Sequence, residues 1–266
     1  MRGAAARNLL KAWILAAILA AVFAGIGWLL ADEHGAALFA FASLLGAAGA
    51  YAVGDRALLG MLGARQFALA EDPLLRSTVD RLAARIGVSP PKIQLLDDGF
   101  PRAFAVGRNP RSATLAVSTG LLTALTPDEL EAVLAHELAH VRMRDVLTQT
   151  QVVLLATTLL ELTRVGGFLS RFLVAVLAPV GAAFTHLVLS TRRELAADAL
   201  AAGIVDPHDL ADALIRLDRA AELVEFNASP TTEPLYTVSP FDHTDRVARM
   251  FVTHPPLADR VARLRV

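Results

Sequence analysis

The sequence predicts a mainly helical α+β fold, with a small β-sheet and an N-terminal transmembrane helical hairpin. Three observations predict it. Two uncharged runs of 20 residues open the chain, Ala12–Ala31 and Gly35–Gly54. Short strand-like stretches follow between Lys92 and Thr119. Beyond Thr126 the apolar residues recur at helical spacing, with start signals for several helices and a second apolar helix pair.

Composition sets the frame. Of 266 residues, 55% are hydrophobic, a share suited to a chain that lies partly in a bilayer. The net charge of −1 points to no nucleic-acid partner. There is no cysteine, so any metal must be held by His and carboxylate rather than thiolate. Nothing in the sequence sets the oligomeric state, and a homo-oligomer is compatible with it.

Each opening run has the length of a helix that crosses about 30 Å of hydrocarbon. Only Asp32, Glu33 and His34 separate the two, so spans at about 12–31 and 35–54 form a tight hairpin within residues 1–56. A second span at once after the first disfavours a cleaved signal peptide. Arg2, Arg7 and Lys11 precede the hairpin, and Arg56 and Arg65 follow it. Positive flanks stay cytoplasmic, so the domain spanning 57–266 starts on that side.

Within that domain, Ala64–Gly87 reads as a helix stopped by Pro90 and Pro91. Lys92–Asp98 reads as a strand, and Ala103–Arg108 with Ala113–Gly120 as a β-hairpin across a turn-rich link. Thr126 caps the next helix, with Pro127 at its first position and Glu129 at the capping-box position. Residues 146–190 interrupt the domain with two apolar stretches joined by Arg164–Arg171. Those two arginines would lie on the far side of a second spanning hairpin, against the positive-inside trend, so spanning and packing on the protein both stay open. Helices follow at Thr191–Gly203 and, capped by Asp206, at Asp206–Val224. Asn227–Asp242 reads as a loop, and a short helix closes the chain.

The capped helix carries "LAHELAH", with His136, Glu137 and His140 in the spacing H-E-x-x-H. Four residues is just over one turn, so both imidazoles project from one face and can share a Zn²⁺. Glu137 stands beside that face, where it can act as general base on a Zn-activated water. The competing reading is an amphipathic helix with two surface histidines. No third His follows at the spacing that longer zinc motifs use. A carboxylate from a later helix is the other solution. Glu194 in "RRELAAD" is the best candidate, and Asp198, four residues on, can orient a ligating His. Glu161 is a weaker rival inside an apolar run.

The segments "AVLAHELAHV", "STRRELAADALAA" and "THPPLADRVARL", with "PRAFAVGRNPRSATLAVSTGLL" before them, resemble the M48 family of membrane-bound zinc metalloproteases, in its HtpX-like bacterial heat-shock branch. The likeness spans nearly the whole chain in order. It implies a gluzincin-type metalloprotease domain, one Zn²⁺ per chain, His136, His140 and Glu194 as ligands, and Glu137 as catalytic base. It also implies Asp198 as their support, and His254 and Arg260 near the metal as oxyanion stabilisers or a gate. An extended peptide would dock on an edge strand, either Ala103, Phe104 and Ala105 or Ala116, Val117 and Ser118. Arg102 stands where relatives usually carry Asn, which puts that Asn's role in doubt here. His243, His186, His34 and His208 have no motif support. The implied protein is a multi-pass endopeptidase of the bacterial inner membrane, with its protease domain facing the cytoplasm. Its polypeptide substrates would include misfolded or damaged membrane proteins, a quality-control role under stress. Two alternatives stand beside it. One is an inactive membrane chaperone or scaffold that keeps the metal site. The other is an intramembrane site-2-type protease, which Asp128, Glu129, Glu131, Arg142, Arg144 and Asp145 around the motif disfavour.

Overall fold

The computed structural model describes residues 2–68, 72–165, 170–223, 229–239, 241 and 246–266. Its first helix, α1 (Arg2–Met61), doubles back at Ala31 and Asp32, whose backbones leave helical geometry. Asp32 takes a positive φ of 53°. The reversal is tight because Gly27 and Gly35 touch backbone to backbone: a Cβ on Gly35 would sit 2.1 Å from the Gly27 carbonyl oxygen. The second arm, Ala31–Met61, is long and apolar enough to cross a membrane. It also runs past the boundary expected at residue 56. Leu58 and Leu59 are buried against Leu96, Phe104, Val153 and Leu235 of the following domain.

The helix expected over Ala64–Gly87 is shorter than that. Arg65–Gln66 forms a strand, β1, and helix α2 (Pro73–Ile86) starts only at the Asp72 cap. Asp72 accepts the Leu75 N–H at 2.9 Å, and Pro73 cannot donate back to a preceding turn. Gly87 ends the helix in the left-handed region at φ 78°.

Strands β2 (Lys92–Leu96), β3 (Ala103–Val106) and β4 (Thr114–Ser118) join β1 in one sheet of order β1-β2-β4-β3. β3 and β4 form the antiparallel hairpin, with Phe104 opposite Ala116, while β2 and β4 run parallel. This order corrects one expectation: β4 is interior, flanked on both sides, so Ala116, Val117 and Ser118 cannot offer a free edge. β3 does stand last in the order, yet Ala103, Phe104, Ala105 and Val106 are all buried. A later helix, α5 (Val146–Val165), reaches the end of that strand, where the Thr150 hydroxyl accepts the Gly107 N–H at 3.2 Å.

After α3 (Thr119–Ala124) comes α4 (Pro127–Met143), the central helix. Its capping box is complete: Glu129 accepts the Thr126 N–H at 2.8 Å, and Thr126 accepts that of Glu129 at 3.3 Å. Helices α2, α7 (Thr191–Ala202) and α8 (Pro207–Leu223) pack around α4, whose residues from Ala132 to Val141 are buried. Arg216 of α8 pairs with Glu129 at 3.0 Å.

Helices α5 (Val146–Val165) and α6 (Ser170–Val188) pair with each other, and α5 also packs against α1. Among the described residues their apolar parts run over 146–161 and 177–188. α5 buries Thr148, Gln149, Thr150 and Thr157 inside the domain. Three of the four are satisfied there: Thr157 bonds Thr231 at 2.7 Å, Thr150 donates to the Val146 carbonyl at 2.6 Å and Gln149 donates to the Pro234 carbonyl, while the Thr148 hydroxyl has no partner among the described residues. His186 bonds the Met250 carbonyl at 2.8 Å, tying α6 to α9 (Arg246–Phe251).

The stretch expected to be a loop holds a buried element. A 3-10 helix covers Pro230–Leu235, with Thr231, Thr232, Glu233, Leu235, Tyr236 and Thr237 all buried. Asn227, Asp242 and His243 lie outside the described residues. Helix α10 (Leu257–Leu264) closes the domain against α7 and α8.

Candidate metal centre

Helix α4 presents His136, Glu137 and His140, all buried, toward α7. Two surface histidines are therefore excluded. His136 Nε2 lies 3.3 Å from His140 Nε2, and Glu194 Oε2 of α7 lies 3.4 Å from the first and 3.5 Å from the second. Among the described residues these three are the cluster of His and carboxylate side chains able to share a metal. Glu161, the rival ligand, is not in it.

The triangle fits a zinc ion. Donors 2.0–2.1 Å from a tetrahedral zinc stand about 3.3–3.4 Å apart. Two imidazole nitrogens and one carboxylate oxygen are also the donor types zinc takes in catalytic sites. The surroundings aim each donor. His136 Nδ1 lies 2.9 Å from Asp198 Oδ1, which turns its Nε2 inward. His140 Nδ1 lies 3.4 Å from Asp145 Oδ2. Asp145 reaches back because Arg144 takes a left-handed φ of 66°, uncommon for a residue other than glycine. Arg193 lies 3.2 Å from Glu194 Oε1, leaving Oε2 for the triangle.

Charge follows this geometry. Burial alone would lower the pKa of His136, but its contacts with Asp198 and Glu194 outweigh that and raise it. Burial opposes the charged form of His140 too, and the Glu194 charge with Asp145 overcomes it, to about 10. Glu194 is held well below the usual carboxylate range despite burial, by the charges of His140, His254 and Arg193.

Glu137 stands beside the triangle and close to its charges. Burial pushes its carboxyl up, against the pull of His136 and His140, and the Thr237 hydroxyl donates to its Oε1 at 3.1 Å. His254 reaches the same centre from the far end of the chain, with Nε2 3.6 Å from Glu194 Oε2. Arg260 is buried behind Asp198. Its Nε and Nη2 donate to Asp198 at 2.8 and 2.7 Å, and its Nη1 to the Thr237 carbonyl at 2.5 Å. Through these bonds Arg260 holds Asp198 in place, a positioning part beside the role at the metal that the resemblance implies for it. Arg102 is likewise engaged, by Asp98 at 2.5 Å and the Tyr236 hydroxyl at 3.2 Å. Sequence reasoning missed Thr237, Asp145 and Glu233. The first two carried no motif, and Glu233 sits between Thr232 and Pro234 in a segment whose composition reads as loop.

Such a fold, with a buried His-His-Glu triangle and a carboxylate beside it, defines a metallopeptidase. The chain belongs to peptidase family M48, whose model matches residues 69–266. It is 40% identical to "Protease HtpX homolog" of Acidiphilium cryptum, over 97% of this chain and 96% of that one. It is 36% identical to "Protease HtpX" of Legionella pneumophila, over 97% and 98%. Among solved structures it is similar to the crystal structure of S. mikatae Ste24p, with a TM-score of 0.51 and 19% identity. That match covers 99% of this chain and 66% of the other, and it shows the fold. The chain is thus a metalloprotease.

Proposed function

We propose that the protein is a membrane-anchored zinc endopeptidase that cuts misfolded or damaged membrane proteins at a site facing the bacterial cytoplasm. The observation that carries the reading is the triangle of His136, His140 and Glu194 donors at zinc spacing, with Glu137 beside it. When bound there, zinc supplies Lewis-acid polarisation of a carbonyl and lets water attack near neutral pH. Glu137 takes the proton of the attacking water as general base and hands it to the leaving amine as general acid. The Thr237 hydroxyl holds the Glu137 carboxylate in place between those transfers. Asp198, locked by Arg260, fixes the His136 ring. His254 Nε2 faces the same point, where an N–H can meet the developing oxyanion.

Location supports the substrate class. Arg56 in the last turns of the second arm and Arg65 just beyond it favour a cytoplasmic domain. That arm enters the domain through Leu58 and Leu59, so the site is tied closely to the anchor. An extended substrate would pair with β3, once the 3-10 helix and α5 yield its covered edge.

The test is metal analysis and casein cleavage by the purified chain, wild type against Glu137→Gln. One zinc per chain in both, with cleavage in the wild type alone, is the expected result. Equal cleavage by Glu137→Gln would sink the mechanism.

A further inference from the structure

The mechanism above leaves one buried carboxylate without a task. Glu233, in the 3-10 helix, is 0% exposed. An ionised carboxylate is costly to bury unless its oxygens are matched by donors. Here both are. Oε2 accepts the backbone N–H and the hydroxyl of Thr253, at 3.0 and 2.9 Å. Oε1 lies 2.8 Å from His254 Nδ1. Among the described residues its ionic partner is His254.

The consequence falls on the far edge of the ring. A carboxylate accepts, so Nδ1 donates an N–H in that contact, whether or not Nε2 is protonated as well. The ring is then pinned at one nitrogen, and its chain segment is pinned through Thr253. Nε2, the other nitrogen, is turned toward the metal-donor triangle, 3.6 Å from Glu194 Oε2. Among the described residues that Nε2 has no hydrogen-bond partner, although the His254 side chain is only 5% exposed. A buried, unsatisfied ring nitrogen aimed at a reaction centre is held there at a cost, and Glu233 supplies the hold.

We infer that Glu233 is a positioning residue: it fixes the orientation of the His254 ring so that Nε2, which carries an N–H when both ring nitrogens are protonated, meets the scissile carbonyl oxygen. The logic is that of a carboxylate behind a catalytic imidazole. This inference rests on the peptidase reading above.

The experiment is a double-mutant cycle on the zinc-loaded, detergent-solubilised full chain, with a fluorogenic unfolded-protein substrate. The variants are Glu233→Ala, Glu233→Gln, His254→Ala and the two doubles, with kcat, KM and zinc content read for each. Glu233→Ala should lower kcat by about 10- to 100-fold, the range typical of such supporting partners, with zinc still bound. KM should stay within about twofold, since the contact matters only as the carbonyl becomes an oxyanion. Glu233→Gln should lose less, because its amide oxygen still accepts from Nδ1. In the His254→Ala background neither change should cost anything further. An equal loss in both backgrounds, or an unchanged kcat in Glu233→Ala, overturns the role. If Glu233→Ala does not fold, the isosteric Glu233→Gln cycle decides by the same criterion. Glu137→Gln separates the two readings. An inert Glu137→Gln with an uncoupled Glu233–His254 pair overturns the positioning role alone. An active Glu137→Gln overturns the mechanism and this role with it.

Discussion

Replacing Arg260 with Met keeps the volume of a long side chain and removes its charge. The guanidinium is 2% exposed and gives two hydrogen bonds to Asp198, at 2.8 and 2.7 Å. A third goes to the Thr237 carbonyl. Asp198 is itself only 4% exposed, so water cannot replace what is lost. Removing one partner of a buried pair costs about 3–5 kcal/mol, because the remaining charge stays desolvated. Arg260→Met should therefore lose about that much unfolding free energy in denaturant titration of the detergent-solubilised protein. Adding Asp198→Asn removes the stranded charge while an amide oxygen still faces His136 Nδ1. The double variant should recover at least about 2 kcal/mol of the loss. Zinc affinity should not recover with it, because the neutral amide is a weaker partner for the imidazole than the carboxylate. A single variant within about 1 kcal/mol of wild type would refute the reasoning, as would a double variant no more stable than the single.

Other expectations follow from the same geometry. Glu194→Ala leaves two donors of three, so zinc per chain should fall to background after gel filtration and cleavage should vanish with it; retained stoichiometry would mean another ligand. Thr237→Val removes the hydroxyl that donates to Glu137, and kcat should drop by about tenfold, one such bond being worth about 1–1.5 kcal/mol. Glu129 has its pKa lowered: burial works against this, and the Thr126 backbone and Arg216 outweigh it. Its contribution to stability is then present above the unfolded carboxylate pKa of about 4.3 and is lost as pH falls through the lowered folded value. Glu129→Gln should cost about 1 kcal/mol at neutral pH, and the gap to wild type should close in acid unfolding curves below about pH 4. Gly35→Val would drive a side chain into the Gly27 carbonyl, so the hairpin should open and cysteine pairs placed across its two arms should no longer cross-link.

What could be read early was local. Thr126, Pro127 and Glu129 mark a helix start by their own hydrogen bonding, and the i, i+4 spacing of His136 and His140 then fixes a shared face. Glu194 and Asp198 were legible for the same reason, as one turn of one helix. The start signal of α2 was equally local at Asp72 and Pro73, but the apolar spacing upstream masked it. A two-residue strand such as β1 has no period to detect; it exists only because Leu95 and Gln94 of β2 lie opposite it.

By itself, then, the sequence determined the donor chemistry. It has no cysteine, two imidazoles one turn apart, a carboxylate beside them and another on a later helix. It also determined the two apolar runs that open the chain. Only the tertiary structure decided which strand stands at the sheet edge, that Arg260 serves Asp198, and that a Pro- and Thr-rich segment is buried beside the centre. Those choices depend on partners far apart in the chain: Thr237 meets Glu137 across 100 positions and Arg260 meets Asp198 across 62. No local propensity encodes such pairings, because their free energy comes from satisfying polar groups that become buried only when the helices pack.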